Sequence, residues 1–199
     1  MKRFVNFLSI FRIVAAFAII PTLMLQMYWT TFVLFVLAAI SDWADGFLAR
    51  RYNVCSKIGG VMDHIGDKLL VVNAFIMLSV MMPVWFVVIP IIIMIARELY
   101  ISGLREFLGT QKIEMPVPHA RFSIGKIKTT VQMFAISMFF LLFTMSKPLA
   151  AGTITRTHLM IMNVVSQAGI IGMWVALAAS IFSAIQYTRT FAEKFKKIK

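Results

Sequence analysis

Apolar residues run along this chain in long blocks, separated by short polar intervals. Each block is close to the roughly 20 residues that a helix needs to cross a hydrocarbon layer. Six such segments are read, at about 8–28, 29–50, 60–82, 84–108, 124–146 and 160–188. The pattern predicts an all-α, polytopic membrane protein with six transmembrane helices. No internal repeat or linker marks a second domain, so 1–199 is read as one domain. Phe4, Phe7 and Leu8, beside Lys2 and Arg3, predict a short interfacial segment ahead of the first span. Pro83 is expected to begin the fourth helix and Pro90 to kink it. Tyr28 and Trp29 are expected to anchor the outer interface.

Composition narrows the class. The chain has 199 residues, of which 60% are hydrophobic and 14% charged. Its mean hydropathy is +0.86. Soluble domains carry about 25% charged residues, so a soluble enzyme, a disordered chain or a nucleic-acid reader is a poor fit. The net charge of +12 then points to anionic lipid or phosphate instead of nucleic acid. The lone Cys55 can form neither an internal disulfide nor a zinc site alone.

Charge also sets orientation, because cytoplasmic flanks accumulate Lys and Arg. With six spans, one side receives 18 of the 20 basic residues, including the 189–199 tail. Only Lys147 and Arg156 fall on the other side. Both termini are therefore expected in the cytoplasm, with the basic tail against anionic lipid. Arg12 interrupts the first apolar stretch, which argues against a cleaved signal peptide.

The acidic residues are oddly placed. All four Asp, at 42, 45, 63 and 67, lie within 26 residues, at the inner ends of the second and third segments. An ionisable group deep in a bilayer costs about 2.5–3.5 kcal/mol on insertion scales, and such residues usually mark function. At about 100° per residue, Asp42 and Asp45 share one helix face, and Asp63 and Asp67 share another. The short loop between the two helices suggests antiparallel neighbours whose carboxylates converge. Oxygen-only ligands suit hard divalent cations, Mg²⁺ or Mn²⁺. Gly46 and Ala49 flank the first pair, and Gly59 and Gly66 the second, which reads as a groove open to a ligand. Arg50 at its edge is suited to a phosphate. Ion pairing of the Asp residues with Arg50, Arg51 and Lys68, or an ion pathway, are the competing readings.

The segment DWADGFLARRYNVCSKIGGVMDHIGDK resembles the signature of the CDP-alcohol phosphatidyltransferase family, D-x2-D-G-x2-A-R-x8-G-x3-D-x3-D. Asp42, Asp45, Gly46, Ala49, Arg50, Gly59, Asp63 and Asp67 occupy every fixed position. The resemblance implies a six-helix, commonly homodimeric membrane enzyme. It further implies attack of an alcohol hydroxyl on a CDP-linked lipid, with CMP leaving. Asp42, Asp45 and Asp63 would bind metal, two ions in all. Asp67 would be the catalytic base and would also touch the second ion. Gly46, Ala49, Arg50 and Gly59 would shape the CDP site. Asn6, Ser9 and Arg12 resemble a second family element on its nucleotide side, whereas Arg12 alone also fits snorkelling to headgroups.

The acceptor is read further along. Arg97 and Arg105 near the inner end of the fourth helix, and Lys126 and Lys128 at the start of the fifth, form a basic cluster. Such a cluster suits an acceptor that carries its own phosphate. Glu98 and Arg105, seven apart, share a face and are expected to pair. Lys126 and Lys128 lie on nearly opposite faces, so one of them is expected to meet the cleft. These stretches resemble the branch of the family whose donor is CDP-diacylglycerol and whose acceptor is sn-glycerol 3-phosphate. Phosphatidylglycerol and inositol phosphate remain rival acceptors, and a divalent-cation transporter or a scaffold the rivals from other classes. The sequence departs from that branch at His64 and Gly66, where Pro and Ala are usual. Met115–Pro118 suggests a flap near the acceptor.

Overall fold

The computed structural model describes the backbone over 2–52, 57–110, 124–150 and 155–196, and side chains at 7–42, 44, 62, 65–110, 128–147, 155–193 and 195. Six helices follow in order: α1 Lys2–Met24, α2 Tyr28–Tyr52, α3 Lys57–Met81, α4 Trp85–Thr110, α5 Ile124–Ala150 and α6 Arg156–Lys196. Each expected span falls on one of them. α1, α4, α5 and α6 hold stretches long and apolar enough to cross a membrane, and α2 a shorter one, Tyr28–Asp42. Large apolar side chains such as Val14, Phe17, Trp29, Ile92 and Val164 face outward. Lipid replaces water around such a surface, and the protein is an integral membrane protein.

Several boundaries differ from expectation. α1 already starts at Lys2, so the expected interfacial segment is the first part of a continuous helix. α4 begins at Trp85, not at Pro83, which lies in the Met82–Val84 link. The Val84 carbonyl accepts from the amides of Val87 and Val88 and starts the helix. Pro90 sits inside α4 and cannot donate to the carbonyl four residues back. That carbonyl, of Phe86, receives the Trp174 indole N–H of α6 at 3.2 Å instead. α6 has 41 residues, roughly 60 Å at the helical rise and twice the hydrocarbon thickness. Its helix continues through most of what reads as a basic tail. There Phe191 stacks on Phe195, and both meet Phe107 of α4.

Without a hydrophobic drive between helices in lipid, packing and hydrogen bonds hold the bundle. Small residues allow the closest approaches. Gly172 faces Ala135 of α5, and Gly169 faces the Phe139 ring. Further in, Phe35 of α2 meets Phe140 of α5 edge-on, with centroids 5.2 Å apart. α1 packs along both α2 and α3, burying Ala15, Ala16 and Ile19. The two Asp-bearing helices, expected as direct neighbours, touch only sparingly, with α1 as their common partner.

Candidate functional site

Two charged centres lie among the helices. The first joins α1 and α2. Arg12, fully buried, donates from Nη1 to Asp42 Oδ1 at 2.9 Å. Ser9, one turn earlier, is buried too. Snorkelling to headgroups is thereby corrected: Arg12 points inward. Gly66 of α3 closes the same place. A Cβ there would stand 3.3 Å from Ile13 Cγ1, 3.5 Å from the Ser9 carbonyl and 3.6 Å from Arg12 Cδ. Gly66 therefore serves close packing of α3 on α1 and does not open the groove expected of it.

The second centre is a cavity of about 460 Å³ among α3, α4, α5 and α6. Asp67 and Lys68 line it from α3, and Arg97, Glu98, Ser102 and Arg105 from α4. Lys128, Thr129 and Gln132 come from α5, and Ser183 and Tyr187 from α6. Four cations thus face two carboxylates around one space. Their partners order them. Arg97 donates to Glu98 Oε1 at 2.9 Å and to Ser183 Oγ at 2.8 Å. Lys128 donates to the same Glu98 oxygen. Lys68 donates to the Ser102 hydroxyl, which donates to the Glu98 carbonyl at 2.8 Å. Arg105 donates to the Tyr187 hydroxyl at 2.7 Å and lies 5.0 Å from that ring's centroid. The expected Glu98–Arg105 pair does not form, because Lys128 from the neighbouring helix and adjacent Arg97 take the carboxylate.

Of the residues singled out in the sequence, Asp67, Arg97, Arg105 and Lys128 meet at the cavity, while Asp42, Ser9 and Arg12 belong to the first centre. Lys128 faces the cavity. The side chains of Asn6, Asp45, Gly46, Ala49, Arg50, Gly59, Asp63, His64 and Lys126 lie outside the described residues, as do Cys55 and Met115–Pro118 entirely. Among the described residues no three His, Cys, Asp or Glu side chains group as metal ligands. Lys68, Ser102, Gln132, Ser183 and Tyr187 were missed as site residues. Spacing held a signal: Glu98, Ser102 and Arg105, Lys128 and Gln132, and Ser183 and Tyr187 repeat at three or four along otherwise apolar helices.

A sequence profile for CDP-alcohol phosphatidyltransferase matches residues 3–185. The chain belongs to this family. Several bacterial relatives are named CDP-diacylglycerol–glycerol-3-phosphate 3-phosphatidyltransferase. One from Escherichia coli (strain K12) is 33% identical over 183 residues, 90% of each chain. Its counterpart from Salmonella choleraesuis (strain SC-B67) is 34% identical over 183 residues, again 90% of each. A third, from Blochmanniella floridana, is 37% identical over 133 residues, 65% of this chain and 69% of that one. The family match covers the residues of both charged centres from Ser9 in α1 to Ser183 in α6, and stops just short of Tyr187.

Proposed function

We propose that this chain transfers the phosphatidyl group of CDP-diacylglycerol to sn-glycerol 3-phosphate, giving phosphatidylglycerophosphate and CMP. The observation that carries the reading is the cavity: Lys68, Arg97, Arg105 and Lys128 around a space bordered by Asp67. Against Asp67 and Glu98, the four cations leave a surplus of two positive charges, the complement of a phosphate monoester dianion. Choline as acceptor would give those cations no anion to bind, and serine only a singly charged carboxylate. The names of the relatives support the same donor and acceptor.

The chain's own residues then divide the work. The cations bind the acceptor phosphate, with Arg97 and Arg105 offering forked donors. Asp67 accepts the proton of the acceptor hydroxyl as its oxygen attacks the β-phosphorus. The bond from that phosphorus to the bridging oxygen breaks, and CMP leaves with the electron pair. Arg12 and Ser9 stand on the donor side with Asn6, Gly46, Ala49, Arg50 and Gly59, and Arg12 holds Asp42 in place. Asp42, Asp45, Asp63 and Asp67 would supply oxygen-only donors, which suit Mg²⁺ or Mn²⁺ by chemistry; Asp42 and Asp67 stand at the two charged centres, and the side chains of Asp45 and Asp63 lie outside the described residues. Two such ions, when bound, would neutralise the pyrophosphate and make CMP a better leaving group.

The basic bias supports a bacterial cytoplasmic membrane location, with the cavity end in the cytoplasm. A homodimer belongs to the same proposal on family resemblance. The test is CMP release by purified protein in detergent with CDP-diacylglycerol, Mg²⁺ or Mn²⁺, and one acceptor at a time. Turnover confined to glycerol 3-phosphate is expected. Turnover with phosphatidylglycerol or inositol phosphate instead would replace the acceptor, and release without any acceptor would overturn the transferase.

A further inference from the structure

Glu98 is the charged side chain, among those described at the cavity, to which the reaction gives no part. A carboxylate beside a phosphate pocket repels the ligand and competes for its cations, so its presence needs a reason. Three observations supply one. Glu98 Oε1 accepts from both Arg97 and Lys128, whose side chains are only 9% and 7% exposed. Those cations come from α4 and α5, which make no direct helix packing among the described residues. Their backbones are related only through shared neighbours, chiefly α6, and two like charges out of water repel strongly. Finally, Ser102, one turn on, holds Lys68 of α3 while donating to the Glu98 carbonyl. Three helices hang their cations on one turn of α4.

We infer that Glu98 is the positioning residue of the acceptor pocket, pinning Arg97 and Lys128 together so that a phosphate monoester meets a preformed cation pair. The inference rests on the phosphate-acceptor reading above. It makes a prediction with a sign. By charge alone, Glu98→Gln removes a negative group and tightens the binding of any anion. As a positioning residue, its loss lets Lys128 swing away and weakens binding.

The experiment uses full-length protein in detergent with the divalent cation present. KM is measured for glycerol 3-phosphate and for CDP-diacylglycerol in Glu98→Gln, Lys128→Met and the double variant. Inorganic phosphate binding is measured separately, without turnover. Glu98→Gln is expected to raise the acceptor KM and the phosphate Kd about tenfold, the scale of a charge-assisted hydrogen bond, with the donor KM within about twofold. In the Lys128→Met background the same change is expected to cost less than about threefold, since the effect runs through Lys128. An unchanged or lowered acceptor KM, an equal rise for the donor, or full additivity would overturn the inference. Should Glu98→Gln fail to fold, Glu98→Asp takes its place: it keeps the charge one methylene short, and the acceptor KM must still rise. If wild-type protein turns over no glycerol 3-phosphate, the proposed reaction fails, while phosphate Kd still decides the role of Glu98.

Discussion

The two charged centres handle buried charge in opposite ways. At the α1–α2–α3 end, Arg12 is fully buried, paired with Asp42, and shut in by Gly66 of α3. Among the described residues, a Cβ at Gly66 would come within 3.6 Å of Ile13, the Ser9 carbonyl and Arg12 Cδ. At the cavity among α3, α4, α5 and α6, four cations surround about 460 Å³, and the backbones of α4 and α5 stay apart among the described residues. Burial that is close-packed fixes a group, whereas burial beside a space leaves charge to be completed by a ligand. The first centre is built to hold a carboxylate still and the second to receive an anion.

The hardest test of this division is Asp67, which borders the cavity from α3. Asp67→Asn removes the proposed proton acceptor while keeping the shape. CMP release should fall by about a thousandfold, within the usual range for a general base. The variant should elute from size-exclusion like the parent. Activity within tenfold of the parent would place the chemistry elsewhere and dissolve the contrast.

Arg12→Met comes next. It leaves Asp42 without its cation in a site 32% exposed on the Asp42 side. Breaking a buried pair costs about 3–5 kcal/mol, and partial exposure brings this toward roughly 2–3 kcal/mol. For a chain of this size that lowers the melting temperature by roughly 5–10 °C. The donor KM should rise and the acceptor KM should not. A rise in the acceptor KM alone would show that the two centres are not separate.

Tyr187→Phe is the matching change in the cavity. It keeps the ring near Arg105 and removes the hydroxyl that accepts its hydrogen bond. A loss of about 1 kcal/mol corresponds to roughly a fivefold higher acceptor KM. Melting should be unmoved, because the pair lies at a partly exposed helix end. An effect on the donor KM would remove α6 from the acceptor side.

The sequence made some of this visible and hid the rest for physical reasons. Apolar block length is a local property, so six helices were legible with only their ends displaced. Asp42 and Asp67 stood out because carboxylates are rare and costly in lipid; their separation into two centres was not visible, since it depends on how α1, α2 and α3 pack. The partner of Glu98 was not visible either. Spacing along α4 places Arg105 on its face, yet Lys128 arrives from another helix, and nothing in a one-dimensional pattern ranks the two. Likewise α1 between α2 and α3 follows from Gly66 meeting Ile13 and Ser9, with Ala15 and Ala16 buried, a property of surfaces in contact. The helical continuation of α6 past residue 188 was masked by its charge, although Phe191 and Phe195 four apart carried the helical period.

Gly66 gives the smallest expected effect and the finest test of what close packing means here. Replacing Gly by Ala inside a helix gains about 1 kcal/mol in propensity. Against this, the new Cβ would stand 3.3 Å from Ile13 Cγ1, tighter than ordinary contact. Ile13 Cγ1 belongs to a rotatable side chain and can yield a few tenths of an ångström. Gly66→Ala should therefore be neutral or slightly stabilising, within about 1 kcal/mol, which agrees with Ala being usual there in the branch the segment resembles. Gly66→Val differs in kind. Its γ carbons reach toward the Ser9 carbonyl and Arg12 Cδ, already 3.5 and 3.6 Å from the Cβ position. Neither can retreat without moving α1 or pulling Arg12 from Asp42. That variant should lose stability by about 1–3 kcal/mol, the cost of overpacking, and raise the donor KM alone. Thermal melting and the two KM values read both variants together. If Val were as harmless as Ala, the Arg12 centre would have slack, and the distinction between a closed and an open charge site would be lost.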